Sequence, residues 1–436
     1  MTPSHWREAL ALRLYSLGVW AAQPLLRRKL RRRAVQEPGY AEAVPERFGC
    51  YAAPATPTPP LWIHAVSLGE SRAAGILLRE IRQQQPSLPV LLTHGTATGR
   101  TEGQRLLADI GMAGDQQAWL PWDTPAAVAR FLQHFRPRMG VLMETEVWPN
   151  LVHACQAANV PLWLVNARLN EKSFTGARRL PSLLPPAYRD LTGVLAQTEA
   201  DGQRLQTLGA NVLGITGNLK FDEQPALALL QQGQHWRSLN AGGHGKPVVA
   251  MASSREGEEA LWLDAIHRLP DPRRVQWMLI PRHPQRFDEV AELVQGRGLT
   301  LSRRSQWQAD QPLPTADVWL GDSMGEMPLY YRLADVALMG ASFAPLGGQN
   351  LIEACACGCP VIVGPHTFNF AQAAEDAIAA GAAERAPDMQ QAIHRALRLV
   401  QDAAMRTASR VSAQQFATAK GGAARATARR LLSALR

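Results

Sequence analysis

The sequence predicts an α/β protein of two doubly wound domains, each a parallel sheet covered by helices, facing a central cleft. Two observations predict it. Short apolar runs alternate with longer amphipathic stretches, which implies buried parallel strands joined by covering helices. The series occurs twice, on either side of residues 217–245. A length of 436 residues suits two or three domains, and 46% hydrophobic with 19% charged residues is ordinary globular composition.

The elements follow in chain order. Residues 1–33 carry eight Lys and Arg against Glu8, and an apolar stretch precedes the basic run 27–33. The uncharged part, 14–26, has 13 residues, short of the roughly 20 that span a bilayer. The basic cluster follows the apolar run, the reverse of a signal peptide. The segment reads as a membrane-associated helix whose basic side meets anionic headgroups; the alternative is an amphipathic helix packed on the body. Residues 34–60 read as a linker with the Pro-rich end AAPATPTPP. Residues 61–216 form the first domain, with strands at 61–67, 90–94, 139–144, 162–166, 194–197 and 212–216 and helices such as 71–85 and 125–135. Residues 217–245 join it to the second domain, 246–436, whose strands are expected at 248–252, 277–281, 318–320, 336–340 and 361–364. The basic tail either strengthens membrane contact or forms a last helix that packs back on the first domain.

Charge and cysteine count exclude other classes. The net charge is +9, but residues 1–33 hold +7, residues 401–436 hold +6, and the body between them is −4. A nucleic-acid partner calls for a basic stripe on the folded body, which is absent here. Five cysteines exclude a dense disulfide framework and fit a reducing compartment.

In doubly wound sheets ligands bind beyond the carboxyl ends of the strands, so the loops there hold the candidates. Glu70 follows the first strand within Ser67-Leu68-Gly69-Glu70. That spacing fits a capping box and equally a general base at a strand end. Glu144 and Glu146 follow the strand 139–144, where they could bind a sugar hydroxyl or simply open a helix at Pro149. Lys220, in Gly217–Asp222, is a cleft cation or a hinge charge. Pro281 and Arg282 end another strand, and a guanidinium there suits a phosphate; His283 beside it is more ordinarily structural. Met324, Gly325 and Glu326 join a strand to a helix. Gly347 and Gly348 permit close backbone approach, and a helix opening at Asn350, Leu351, Ile352 and Glu353 offers backbone amides to an anion. Cys355, Cys357 and Cys359 lack the spacing of a metal site and read as packing residues. No HExxH, Walker or EF-hand pattern is present, and no metal ligand set is expected.

Taken together, nine motifs resemble the 3-deoxy-D-manno-octulosonic acid (Kdo) transferases of lipopolysaccharide synthesis: HAVSLGE (64–70), LPWD (120–123), METEVWPN (143–150), VNARL (165–169), GNLKFD (217–222), PRHPQRF (281–287), DSMGEM (322–327), GGQNLIE (347–353) and GPHTFNF (364–370). The resemblance implies a GT-B glycosyltransferase with two Rossmann-like domains and an N-terminal membrane anchor, at the cytoplasmic face of the inner membrane of a Gram-negative bacterium. It implies inverting transfer of Kdo from CMP-Kdo, a co-substrate, to a lipid A precursor of the lipid IVA type, with no cofactor and no metal. On that resemblance Glu70 is the base, Glu146 and less firmly Glu144 shape the acceptor side, and Lys220 lies near the donor's developing charge. Arg282 would meet the CMP phosphate, with the amides near Asn350 sharing its charge. Met324, Gly325 and Glu326 would border the nucleotide, and Glu353 would hold ribose. The competing readings are another GT-B nucleotide-sugar transferase or epimerase, and a membrane-bound scaffold with a decayed nucleotide site.

Overall fold

The structure, a computed structural model, describes residues 3–54, 57–241 and 245–435. Residues 55 and 56 of the Pro-rich run and 242–244 of the stretch 217–245 lie outside the described residues. Two compact units emerge. One holds the chain to Asp222 and takes it back from Gly421; the other is Glu223–Lys420.

The first unit is built on strands β1 (Leu61–His64), β2 (Val90–His94), β3 (Gln116–Trp119), β4 (Met139–Met143), β5 (Leu162–Ala167), β6 (Gly193–Ala196) and β7 (Val212–Ile215). They form one sheet in the order β3-β2-β1-β4-β5-β6-β7, every pair parallel. Alternate residues of β1 go to opposite faces: Leu61 and Ile63 join one core cluster, Trp62 the other. That two-sided burial is why these strands read as continuous apolar runs. The connecting helices bury one stripe each. In α3 (Leu68–Gln84), Ala74, Leu77, Leu78 and Ile81 share a buried face. Each large side chain there gains roughly 1.5–3 kcal/mol on burial.

The second unit repeats the plan with β8 (Val248–Ser254), β9 (Gln276–Pro281), β10 (Leu301–Arg303), β11 (Val318–Leu320), β12 (Val336–Met339), β13 (Val361–Val363) and β14 (Ala383–Arg385). The order is β10-β11-β9-β8-β12-β13-β14, again all parallel. The direction of winding reverses between β1 and β4 in one sheet and between β8 and β12 in the other. Crevices for ligands open at such reversals.

β3, β10 and β14 were not foreseen from the sequence, and each is an edge strand. An edge strand has one neighbour, so Gln116-Gln117, Ser302-Arg303 and Glu384-Arg385 can be polar without cost to the core. The stretch 34–60 holds more than a linker. Its turns Pro38–Ala41 and Val44–Phe48 pack Tyr40 against Trp119, and the buried guanidinium of Arg47 lies over the Trp119 ring. The stretch 217–245 likewise contains the helix Leu227–Ala241, which docks Trp236 on Trp307 in the second unit. The last helix, Ala423–Ala434, belongs to the first unit, where Ala424, Ala428, Leu431 and Leu432 complete the cluster around Leu61 and Ile63.

At the N-terminus, α1 (Pro3–Ala21) and α2 (Gln23–Gln36) are separate helices. The inner side of α1 is polar: Glu8 takes two hydrogen bonds from Arg189, and Tyr15 and Ser16 bond Asp123 and Asn150. Its outer side is apolar, with Trp6, Leu10, Leu14, Leu17 and Trp20 all exposed in one helical stripe, Trp20 by 64%. The cations of α2 are exposed, and only Leu30 is buried. Among the described residues no helix is long and apolar enough to cross a membrane.

Candidate functional site

Among the described residues seven non-glycine residues have positive φ, and four of them stand at strand carboxyl ends: Glu144, Asn166, Ser253 and Ala341. A left-handed side-chain residue costs about 1–2 kcal/mol, so each is held there by its surroundings. Glu144 directly follows β4, Ala341 lies two residues past β12, and Ser253 lies at the end of β8, all strands at the winding reversals.

The first unit gathers three carboxylates. Glu70 opens α3 and keeps its capping geometry: Ser67 Oγ accepts the Glu70 N–H at 3.4 Å, and Glu70 Oε2 accepts the Val66 N–H at 2.7 Å. Burial nevertheless pushes its pKa up to about 7, the Val66 bond opposes the rise, and the charges of Glu144 and Glu146 add to it. Glu70 is thus a capping carboxylate whose proton affinity is raised toward neutral pH. Glu144 is 3% exposed and is held by Arg168 at 2.8 Å and Lys220 at 3.5 Å. Lys220 thus sits beside a carboxylate, in the turn Leu219–Asp222, whose first N–H is bonded by Asn166 Oδ1 at 3.1 Å. Glu146 is half-buried; burial raises its pKa, and Trp148 Nε1 donates to it at 2.9 Å.

The second unit gathers cations. Arg255 follows β8, and Arg282, His283 and Arg286 follow β9, with the Arg282 N–H bonded to Ser254. Burial and then the charges of Arg255 and Arg282 hold His283 below its ordinary pKa, so it is neutral near pH 7. Arg286 is fixed by Glu259 at 2.6 Å and Glu289 at 3.0 Å. Such a cluster suits a phosphate.

The loop after β12 is built by a buried carboxylate that the sequence reading missed. Glu258 accepts N–H groups from Arg255, Ala341, Phe343 and Ala344, tying the ends of β8 and β12 together. Its signal in the sequence was an acidic pair, Glu258-Glu259, opening a helix just after a strand. Gly347 has φ 93°, and a Cβ there would strike Asn369 and Phe368. The helix Leu351–Ala356 has only six residues, and Asn350 Oδ1 takes the Ile352 N–H at 3.2 Å. One of the amides at that helix start is thus taken by its own cap. Leu351 and Ile352 are core residues, so their side chains have no place in a ligand site; Glu353 is half-buried. Pro281 is buried at the end of β9. Met324 is exposed and Gly325 left-handed, while the Glu326 carboxylate is engaged by Arg304 at 2.7 Å and Ser323 at 2.5 Å. Cys355, Cys357 and Cys359 are free and buried, with burial pushing Cys359 up to about 12, as packing thiols should be. Among the described residues no His, Cys, Asp and Glu group forms a metal-binding cluster.

Two parallel Rossmann-like sheets with polar groups at their winding reversals define a GT-B protein. The UDP-GlcNAc 2-epimerase of Neisseria meningitidis has this fold, with a TM-score of 0.58 over 86% of this chain and all of that one, at 14% identity. Within that class the chain belongs to the 3-deoxy-D-manno-octulosonic acid transferase family and is a glycosyltransferase. Residues 42–223 match the family described as 3-deoxy-D-manno-octulosonic-acid transferase (kdotransferase), and 284–416 match glycosyl transferases group 1. The 3-deoxy-D-manno-octulosonic acid transferase of Bordetella pertussis is 51% identical over 95% of this chain and 97% of its own length. That of Haemophilus influenzae is 35% identical over 82% of each chain.

Proposed function

We propose that the protein transfers Kdo from CMP-Kdo to a lipid A precursor of the lipid IVA type, with inversion. Glu70 takes the proton of an acceptor hydroxyl as its oxygen bonds to the anomeric carbon of Kdo. The bond from that carbon to the phosphate oxygen breaks, and CMP leaves with the electron pair. The observation that carries this reading is the Glu70 carboxylate at a winding reversal, with its pKa raised to about 7. A base matched to the operating pH is the most effective one. Glu146 and Glu144 act on the acceptor side, Glu144 by holding Lys220. Arg282 with Arg255 and His283 supplies the donor phosphate site, and its positive charge stabilises the leaving group without calling on a metal. The nucleotide edge is assigned to residues 324–326 and Glu353.

The acceptor's location follows from the N-terminus. The exposed apolar stripe of α1 and the cations of α2 support docking on the anionic cytoplasmic face of an inner membrane. Basic residues near such a surface contribute about 1 kcal/mol each. The test is transfer from CMP-Kdo, generated in situ, to a tetraacylated lipid A precursor, read by mass spectrometry. A gain of whole Kdo units is the expected result. No gain from verified donor and folded protein moves the assignment to another nucleotide sugar.

A further inference from the structure

We propose that Asp123 is a positioning residue that locks the outward-facing helix α1 and the loop 144–150 into one register. The proposal rests on the acceptor-side reading of that loop and adds to it what holds the loop in place. The helix Pro149–Ala157 begins at Trp148, whose side chain makes no capping bond. A distant carboxylate does the capping instead: Asp123 accepts the Asn150 N–H at 3.0 Å and the Leu151 N–H at 2.8 Å. Asn150 returns the contact, donating Nδ2 to the Asp123 carbonyl at 2.6 Å. Both side chains are buried, 6% and 4% exposed.

Two consecutive residues of α1 complete this clamp. Tyr15 donates its hydroxyl to Asp123 at 2.9 Å, and Ser16 donates to Asn150 Oδ1 at 2.8 Å. From the capped helix the chain runs back through Trp148, which holds Glu146, to the left-handed Glu144. Every link from α1 to Glu146 is thus a hydrogen bond or a covalent neighbour. The same helix turns Leu14, Leu17 and Trp20 outward. The apolar stripe and the acidic loop are therefore fixed relative to each other, as recognition of one amphiphile by its acyl chains and its sugar hydroxyl requires. Buried and charge-assisted bonds of this kind hold position well.

The test compares the full-length wild type with Tyr15→Phe/Ser16→Ala, which keeps the packing and removes both donors. Initial rates are measured in CMP-Kdo and in two acceptors, tetraacylated and fully deacylated. The double variant should raise KM for the acylated acceptor roughly five- to tenfold. Its KM for the deacylated acceptor and for CMP-Kdo, and its Tm, should stay at wild-type values. Asp123→Asn should raise KM for both acceptors. An unchanged acylated-acceptor KM in the double variant, or donor and acceptor KM rising together, would overturn the proposal. Amide hydrogen exchange supplies a readout independent of activity: Asn150 and Leu151 should exchange faster in the double variant, and equal exchange overturns the clamp. A wild type that transfers nothing from CMP-Kdo sinks the functional reading, and the exchange data still decide the clamp.

Discussion

The two sheets are the same size and both wholly parallel, yet the loops at their carboxyl ends place different charged groups. Around β1 and β4 stand Glu70, Glu144 and Glu146; after β8 and β9 stand Arg255, Arg282 and Arg286. The scaffold therefore sets where chemistry happens and leaves its sign to the loops. The buried carboxylates of the two units also differ in use. Glu258 is saturated by four backbone N–H groups and acts as a brace. Glu70 accepts one backbone N–H beside two other acids, and its proton affinity rises. Backbone donors make an acid structural; burial and neighbouring acids raise its proton affinity, and the proposal of Glu70 as the base rests on that difference.

The sharpest way to break this comparison is to remove Glu70, the proposed base. Glu70→Gln should lower transfer roughly a thousandfold while CMP binding, measured by calorimetry, stays at wild-type strength. An effect on CMP binding would mean that the two units do not divide the work by charge. The same variant carries a stability signature. The fold raises the Glu70 pKa from 4.5 to about 7, so folding disfavours the charged form. That penalty is absent below about pH 4.5, grows between 4.5 and 7, and is complete above. Glu70→Gln should therefore match wild type in acid and exceed it above pH 7, by up to about 3 kcal/mol in denaturant titration.

Arg282→Ala should weaken the donor by roughly tenfold or more, seen as a raised KM for CMP-Kdo with acceptor KM unchanged. Glu258→Ala leaves four N–H groups unpaired and should destabilise the second unit by about 2–3 kcal/mol, read by thermal unfolding. The smallest effect concerns pH. The acid limb of kcat/KM should lie near 7, where Glu70 loses its proton. Glu146→Gln removes a charge that raises that value, so the limb should move to lower pH by under about one unit. An unmoved limb would assign the titration to another group.

Much of this was legible in the sequence. Strands buried on both faces announce themselves as apolar runs, and Glu70, Glu146, Arg282 and the 340–353 loop do stand after such strands. The misses have two causes. The edge strands β3, β10 and β14 owe their structure to one neighbour rather than to their own composition. Glu258 looked like a helix opening because the amides that it holds lie more than 80 residues onward. Asn350 adds a second role that the sequence did not single out: its Oδ1 takes one of the N–H groups at its own helix start.

The last helix carries a consequence for how the molecule is made. Arg138 donates to the carbonyl of Leu435, and the cluster under β1 includes Ala428, Leu431 and Leu432. A chain emerging from the ribosome presents the first sheet with α3 on that face early, but receives the last part of the cover only with residues 423–435. The N-terminal unit therefore stays incompletely covered throughout synthesis of the second, part of its apolar face in reach of chaperones or of neighbouring nascent chains. The arrival of residues 423–435, rather than the emergence of residue 222, is the moment at which that cluster can be completed.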